Sequence, residues 1–582
     1  KIAAFRTDDV QCDLDFENRL GVFTPNSGET KIELPIQQYI CFMDRFRWYM
    51  DEDEIDLLSN RMQEDLPLDF SDDRTISNFI SAHPDQDSLH FLSSSATYRI
   101  GEDLLLCKGV LSLAVADSRI LPDSGFLTIR ADAKMDELVH AQIVSNATTK
   151  YHFLDSAFLN INGRFDFEGA GFYNYTSVDG KVSRILFEDI QVDDSLRTTG
   201  KGSLIARDGF LLGPAFAFAG DVKMVSSEPY LFFAGGVKMT KECSKMQRSW
   251  IAFESNVNPK SIAIPISDPP RDIDGDILAY GLMASSRPPF TVYASFLDPQ
   301  GDESDLNMLK GAGQLRYVDE RYVFSTLEKL ESPNSNGTKI DIRPSTCDLK
   351  GSGRFELPLD FQLVEQSFVG GFEINSRGEY IFKGSYRMDV ALDQDLFDRM
   401  ALQIPSWEPA EPVNILETNY EQALQEWLGD KASQKLLNDL AMTGELRNIP
   451  KSMRNTIVLT GLEMKWDPDL EEFISTSEFT VASLGDSPVF QKIPAKLILS
   501  RSRSKDSFTV YLHGDEENWY FLKYSKPTLN CSSSDKVFLS QIADIKPKKR
   551  EQKDKDGRRF TYNYMSKNTW RNNLVDDYRD FD

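Results

Sequence analysis

Histidine is scarce, with five residues in 582, and they do not cluster. His83 and His90 fall in a loop, while His140, His152 and His513 lie in or beside strand-like stretches. Neither H-E-x-x-H nor an i,i+4 histidine pair occurs, so an imidazole-based transition-metal centre is not expected. Cysteine is nearly as rare: Cys12, Cys41, Cys107, Cys243, Cys347 and Cys531 are scattered and form no C-x-x-C. That spacing excludes a zinc ribbon or a thioredoxin-like site. Widely spaced cysteines in a large core are expected as buried free thiols rather than as disulfides. Positive charge is also short, 65 Lys and Arg against 91 Asp and Glu, for a net charge of −26. Nucleic acid and anionic membrane surfaces demand clustered cations, so neither is an expected main partner of the chain. No run reaches the ~18–20 apolar residues of a transmembrane helix. The chain begins at Lys1 with no Met and no leader, which reads as a processed protein or a fragment.

Nucleophile motifs are missing too. There is no G-x-S-x-G. Gly485-Asp486-Ser487 is followed by Pro488, and Ser533-x-x-Lys536 lacks the S-D-N and K-T-G companions of acyl-enzymes. Ninety-one carboxylates permit any glycosidase-type pairing and therefore specify none.

What the chain does have is alternation. Across residues 160–175, Ile161, Phe165, Phe167, Tyr173 and Tyr175 share one parity with Gly163, Gly169 and Gly171. Asn160, Asn162, Arg164, Asp166, Glu168 and Asn174 fill the other. A period of two puts the apolar set on one face of a β-strand. Read as one strand, the stretch would span about 50 Å, far beyond the usual ~17–20 Å. Asp179-Gly180 supplies a tight turn into a return strand over 182–192. Gly-x-Gly pairs recur at Gly169/Gly171, Gly200/Gly202, Gly311/Gly313 and Gly351/Gly353, at unequal spacing and with no helical pattern after them. They read as devices for bending strands, not as phosphate loops.

The predicted fold class is mainly β: long, bent antiparallel strands forming extended sheets or sandwiches. A C-terminal β-meander module with one amphipathic helix completes it. Five segments are expected. Residues 1–95 form an N-terminal β segment with a short helix over 51–62 and an acidic connection. Residues 96–260 form a β-domain with long Gly-bent strands, and 261–407 a second β-domain beginning in a Pro-rich crossover. Residues 408–545 combine a helix over 418–442, capped by Gly444, with a β-meander. Residues 546–582 are a basic and aromatic tail that includes Trp570. A second helix is expected over 394–403, ended by Pro405. The helix and the Pro-rich interruptions are poor material for a transmembrane barrel.

Two groups of residues invite chemistry. Asp272, Asp274 and Asp276 alternate around Gly275 and could offer oxygen ligands to Ca²⁺, although the EF-hand spacing fails at Ile277 and Met283. No other cofactor is implied. Lys548, Lys549, Arg550, Arg558 and Arg559 make a local cationic excess suited to an acidic partner or to lipid headgroups. Trp250, Trp407 and Trp466 are the tryptophans that could serve as sugar-stacking platforms, with core packing the competing expectation.

The Trp519-Tyr520-Phe521 strand, the Ser532-Ser533-Ser534 run and the basic stretch at Lys549-Arg550 resemble the C-terminal module of large all-β envelope proteins of Gram-negative bacteria. Pro122-Asp123-Ser124-Gly125, Tyr151-His152 and the Gly169-Ala170-Gly171 strand are similar to those proteins as well. The resemblance carries no catalytic residue. It implies an exported protein of the periplasm or cell surface, associated with the outer membrane. Its function would be that of a non-enzymatic scaffold or accessory subunit of an envelope complex, assembling or transporting outer-membrane components. Other envelope proteins would be its partners, with peripheral membrane association. The alternatives are a carbohydrate-binding or carbohydrate-active β-protein and a lipid-carrying β-trough.

Overall fold

The computed structural model describes residues 3–60, 76–244, 247, 249–331, 337–375, 377–415, 418–444, 446, 449–450, 453–503, 505–553 and 557–565. The chain is mainly β and divides into two compact units, 1–240 with 252–263, and 241–251 with 264–582. No helix among the described residues is long and apolar enough to cross a membrane.

The first unit holds a 16-stranded sheet and a 7-stranded sheet. Tyr39 and Cys41 from the larger sheet lie beside Cys107 of the smaller one, and the three are fully buried. The centre of the larger sheet is the antiparallel run Leu138–Ser145, His152–Gly163, Asp166–Thr176 and Val182–Val192. Ile161 pairs with Phe167 and Asn160 with Glu168, so residues of one parity share a face on both strands. Ile161, Phe167, Gly171 and Tyr175 are buried while Asn160, Asn162, Asp166, Glu168 and Asn174 are exposed. Near the start of the His152–Gly163 strand the buried parity is reversed. The switch is a bulge at Ser156, whose φ is 50°, so that Leu154 before it and Ala157 after it are both buried. One extra residue flips every side chain beyond it to the opposite face.

The structure corrects the single 160–175 strand. The chain reverses at Arg164-Phe165, and Gly163 pairs with Asp166. These two residues carry no turn chemistry of their own. The tip is held by tertiary bonds: the Arg164 amide donates to the Gln86 carbonyl at 3.1 Å, and the Ala116 amide to the Arg164 carbonyl at 2.8 Å. Gly169 and Gly171 do lie in a strand, with a register shift between them. Gly311 precedes its strand, which begins at Gly313.

A second correction concerns residues 51–62. Glu54–Leu58 is a strand, not a helix, paired with Arg45–Tyr49 so that Ile55 faces Trp48 and Leu57 faces Phe46. The acidic first turn pointed to a helix, but the buried Ile55 and Leu57 alternate and match a partner strand. Residues 61–62 lie outside the described part of the chain, as do 554–556 of the basic segment and Trp570 in the tail.

The second unit is built on an 18-stranded sheet, with a 3-stranded sheet of Leu278–Ala284, Val292–Pro299 and Leu306–Asn307 beside it. The large sheet runs antiparallel from Ile264–Ile266 through Gly313–Val318, Arg321–Thr326, Lys339–Arg343, Asp348–Phe355, Gln366–Ile374 and Tyr380–Asp389 to Thr456–Asp467. The C-terminal meander continues it and closes with a parallel pair, Thr528–Ser533 with Arg559–Tyr564. The Gln394–Gln403 helix forms as expected. The 418–442 helix is instead two, Tyr420–Leu428 and Asp430–Thr443, broken by Gly429 at φ 76°. Gly444 caps the second with φ 71°. Their apolar stripe packs on the chain's own sheet: Tyr420, Leu424 and Leu436 cluster with Val458 and Ala482. A further helix, Lys536–Asp544, starts at Asp535, whose carboxylate accepts from the Val537 and Phe538 amides.

Candidate functional site

The Leu278–Ala284 strand is buried along its whole length. Gly281 lets it approach Ile340 of the large sheet, and Tyr280 meets Phe324 edge-on at 5.0 Å. Its partner Val292–Pro299 carries an irregularity: Ala279 pairs with Asp298 and Tyr280 with Phe296, leaving Leu297 as an inserted residue. Leu297 is 1% exposed and sits at φ 61°, a conformation a bulky side chain rarely adopts. A bulge of this kind re-aims the residue beside it. Here that residue is Asp298.

Asp298 lines a cavity of about 480 Å³, formed by residues Phe296, Ile342, Cys347, Leu349, Ile374 and Tyr380 among others. One wall is the Cys243–Cys347 disulfide, which joins residues 104 apart in sequence with their Cα atoms 5.3 Å apart. Sequence spacing favoured free thiols throughout. Folding brings these two together and leaves Cys12, Cys41, Cys107 and Cys531 unbridged, Cys12 exposed and the other three buried. Burial pushes the Asp298 carboxyl up to about 6, against the opposing pull of the Phe296 and Gln247 amides and the Ser295 hydroxyl. Its Oδ1 is enclosed and lacks a well-formed hydrogen bond among the described residues.

The neighbouring polar groups are already engaged. Ser295 Oγ donates to the Ala279 carbonyl at 2.9 Å, and the Tyr380 hydroxyl accepts the Ala294 amide at 3.2 Å. Asn375 is spent on its own turn, accepting from the Arg377 and Glu379 amides and donating to Glu379 Oε2. Asp348 accepts from both Arg321 Nη atoms at 3.2 and 3.0 Å, and the same guanidinium bonds Asp341. The cavity sets a carboxylate beside apolar side chains and polar groups that already hold hydrogen bonds.

The residues singled out from sequence lie elsewhere. Asp272 uses its carboxylate to hold a turn, its Oδ1 accepting from the Asp274 and Asp276 amides at 3.0 and 2.9 Å. Asp272 also pairs with Ile251 through a bridge. Among the described residues no group of three or more His, Cys, Asp or Glu is placed to hold a metal ion. Lys548, Lys549, Arg558 and Arg559 are exposed, whereas Arg550 is buried and donates to Asn563 Oδ1 at 3.1 Å. Trp407 and Trp466 are core residues, the first stacked on Tyr520 at 5.8 Å and the second against Phe473 at 4.7 Å. Ser487 donates to Asp398 at 2.7 Å, and buried Ser533 to the Trp519 carbonyl at 2.8 Å.

Sequence reasoning missed Asp298 because the cavity is assembled from four distant segments around positions 243, 296, 347 and 378. No local motif marks it. No protein-family model matches the chain, and no curated protein matches it significantly.

Proposed function

We propose that the protein is a non-enzymatic scaffold or accessory subunit of an outer-membrane-associated complex of the cell envelope, serving assembly or transport of outer-membrane components. The observation that carries this reading is the exposed face of the central strands in the first unit. Tyr151, Phe153, Phe158, Val182 and Leu186 are all exposed there, and Phe172 is half-buried among them. Contiguous exposed apolar surface rimmed by polar groups marks an interaction site. At its middle is a fixed polar cluster. Arg184 lies over the Phe172 ring at 4.0 Å and bonds Asp155 at 2.6 Å, and Asn174 donates to the same carboxylate at 2.6 Å. Aromatic residues with an ordered arginine are the composition of protein–protein interface centres. Lipid chains would take water from that charged cluster and offer no hydrogen bonds in return, which favours a protein contact over a lipid-carrying trough.

The Cys243–Cys347 bridge supports an oxidising compartment, the periplasm or the cell surface. The exposed Lys548, Lys549, Arg558 and Arg559 supply a second contact for acidic partners or headgroups. Native purification in mild detergent tests the reading. The expected result is a complex well above the chain's own 66.1 kDa that the double change Phe153→Ser and Phe158→Ser disperses. A lone monomer would sink it.

A further inference from the structure

A groove of about 300 Å³ crosses the large sheet of the second unit, over the strands Lys339–Arg343, Asp348–Phe355, Gln366–Ile374 and Tyr380–Asp389. In one row across these strands Lys339 pairs with Ser352, Ser352 with Gly371 and Gly371 with Lys383. In the next row Asp341 pairs with Lys350, Lys350 with Glu373 and Glu373 with Ile381. Residues two apart on a strand share a face, so both rows line the same groove. Gly371 opens its centre: a Cβ there would meet only the Gly351 carbonyl at 3.2 Å and Ser352 Cβ at 3.9 Å.

The groove holds positive charge without partners. Three lysines line it against two carboxylates, in a chain of net charge −26. Both carboxylates are already held. Glu373 accepts from Lys383 at 3.1 Å, and the same ammonium pairs with Glu463 at 3.4 Å. Asp341 is bonded by Arg321, which is not part of the lining. Lys339 and Lys350 are left over. Both are exposed, and neither ammonium has a hydrogen bond or ion pair among the described residues. The Ser352 hydroxyl, opposite Lys339 and two residues on from Lys350, has no partner there either. Lys339 and Lys350 lie on the diagonal of their strand pair, about 7–8 Å apart, a gap that long side chains close. Lys329 adds to the local potential: its ammonium is held below the ordinary value by burial and then by Lys339.

From this arrangement we infer that the groove binds a phosphate monoester. The Lys339 and Lys350 ammonium groups and the Ser352 hydroxyl donate to its oxygens, and its organic group lies against the half-buried Ile381. Two unpaired ammonium groups on one diagonal suit a dianion on one centre, whereas a carboxylate would neutralise only one of them. Lysine meets phosphate as a point charge, and no arginine fork lines the groove to select a planar carboxylate. The acidity of the whole chain does not oppose this, because charges beyond about 8–10 Å are largely screened at physiological ionic strength. The site is separate from the apolar face of the first unit.

The test uses the full chain at low salt and about pH 8, where a monoester whose second pKa is about 6 is a dianion. Titration calorimetry against phenyl phosphate should show saturable binding, with benzoate about tenfold weaker. Lys339→Gln and Lys350→Gln, both at exposed sites and checked by circular dichroism, should each weaken phenyl phosphate about tenfold. Lys201→Gln removes the same charge from an exposed lysine of the first unit and should leave the affinity unchanged. A soluble ester and a lipid can present the same head, and co-sedimentation with phosphatidate vesicles separates them. Retention that Lys350→Gln abolishes assigns the lipid; binding of phenyl phosphate without retention assigns the soluble ester. Four results each overturn the inference: no binding of phenyl phosphate at millimolar concentration, equal affinity for benzoate, folded Lys339 and Lys350 variants that bind like the parent, or an equal loss in Lys201→Gln.

Discussion

Asp298 shows how one residue's surroundings set a measurable property. Its carboxyl is raised from 3.8 to about 6, with burial the leading cause. A folded-state value above the unfolded one means the folded chain binds the proton more tightly. Its contribution to stability is therefore full below about pH 4 and is lost as pH rises through about 6. Asp348, which also lines the cavity, pairs with Arg321, as does Asp341. Asp389, also raised to about 6 mainly by burial, adds a similar slope elsewhere, so a difference between variants is needed. Asp298→Asn should gain stability relative to the parent between pH 4.5 and 7.5. After discounting for partial exposure, the gain should be on the order of 1 kcal/mol. Urea denaturation at the two pH values measures it, and a pH-independent difference would refute the assignment of the shift. None of this was legible in the sequence, where Leu297-Asp298-Pro299 falls in the Pro-rich crossover.

At the scale of elements, the sequence was most informative where one face of a strand is buried. The parity in residues 160–175 matched the observed faces except at Phe165, which is exposed in the turn, because burying one side of a sheet imposes a period of two. It was silent on where that run folds back. Turns coded by Asp-Gly are readable, as at Asp179-Gly180, where Gly180 has φ 79°. The Arg164-Phe165 turn is held by bonds from distant residues and leaves no local trace. Gly429 was likewise hidden inside an apolar stripe that continues across it, since the two helices pack as a pair on one cluster. The strand glycines were read as devices for bending, and at Gly384 the structure shows a different demand, the close approach of paired backbones. Gly370 pairs with both Gly353 and Gly384, and a Cβ on Gly384 would strike the Val369 carbonyl and come within 2.8 Å of Gly370 Cα. Gly384→Ala should destabilise the second unit by about 2–3 kcal/mol, as overpacking between paired strands does. A denaturation midpoint unchanged from the parent would show that the strands separate without strain.

For the whole molecule, cysteine use connects fold to compartment. Composition left the redox environment open, because six scattered thiols fit either state and pairing across 104 residues cannot be read from spacing. The fold makes separate demands of each. Cys41, Cys107 and Cys531 are fully buried, and burial pushes their thiols up, away from the reactive thiolate. Cys12 sits exposed on the Val10–Asp15 strand. Alkylation of the native protein should therefore label Cys12 alone, with three more sites appearing on unfolding and the last two only after reduction. Labelling of Cys243 or Cys347 without reductant would contradict the bridge and with it the support for export. The bridge also closes a long loop, so Cys243→Ser with Cys347→Ser should lower the stability of the second unit by about 2–4 kcal/mol. Denaturation midpoints of the parent and the double variant measure it, and equal midpoints would show that the bridge adds no stability.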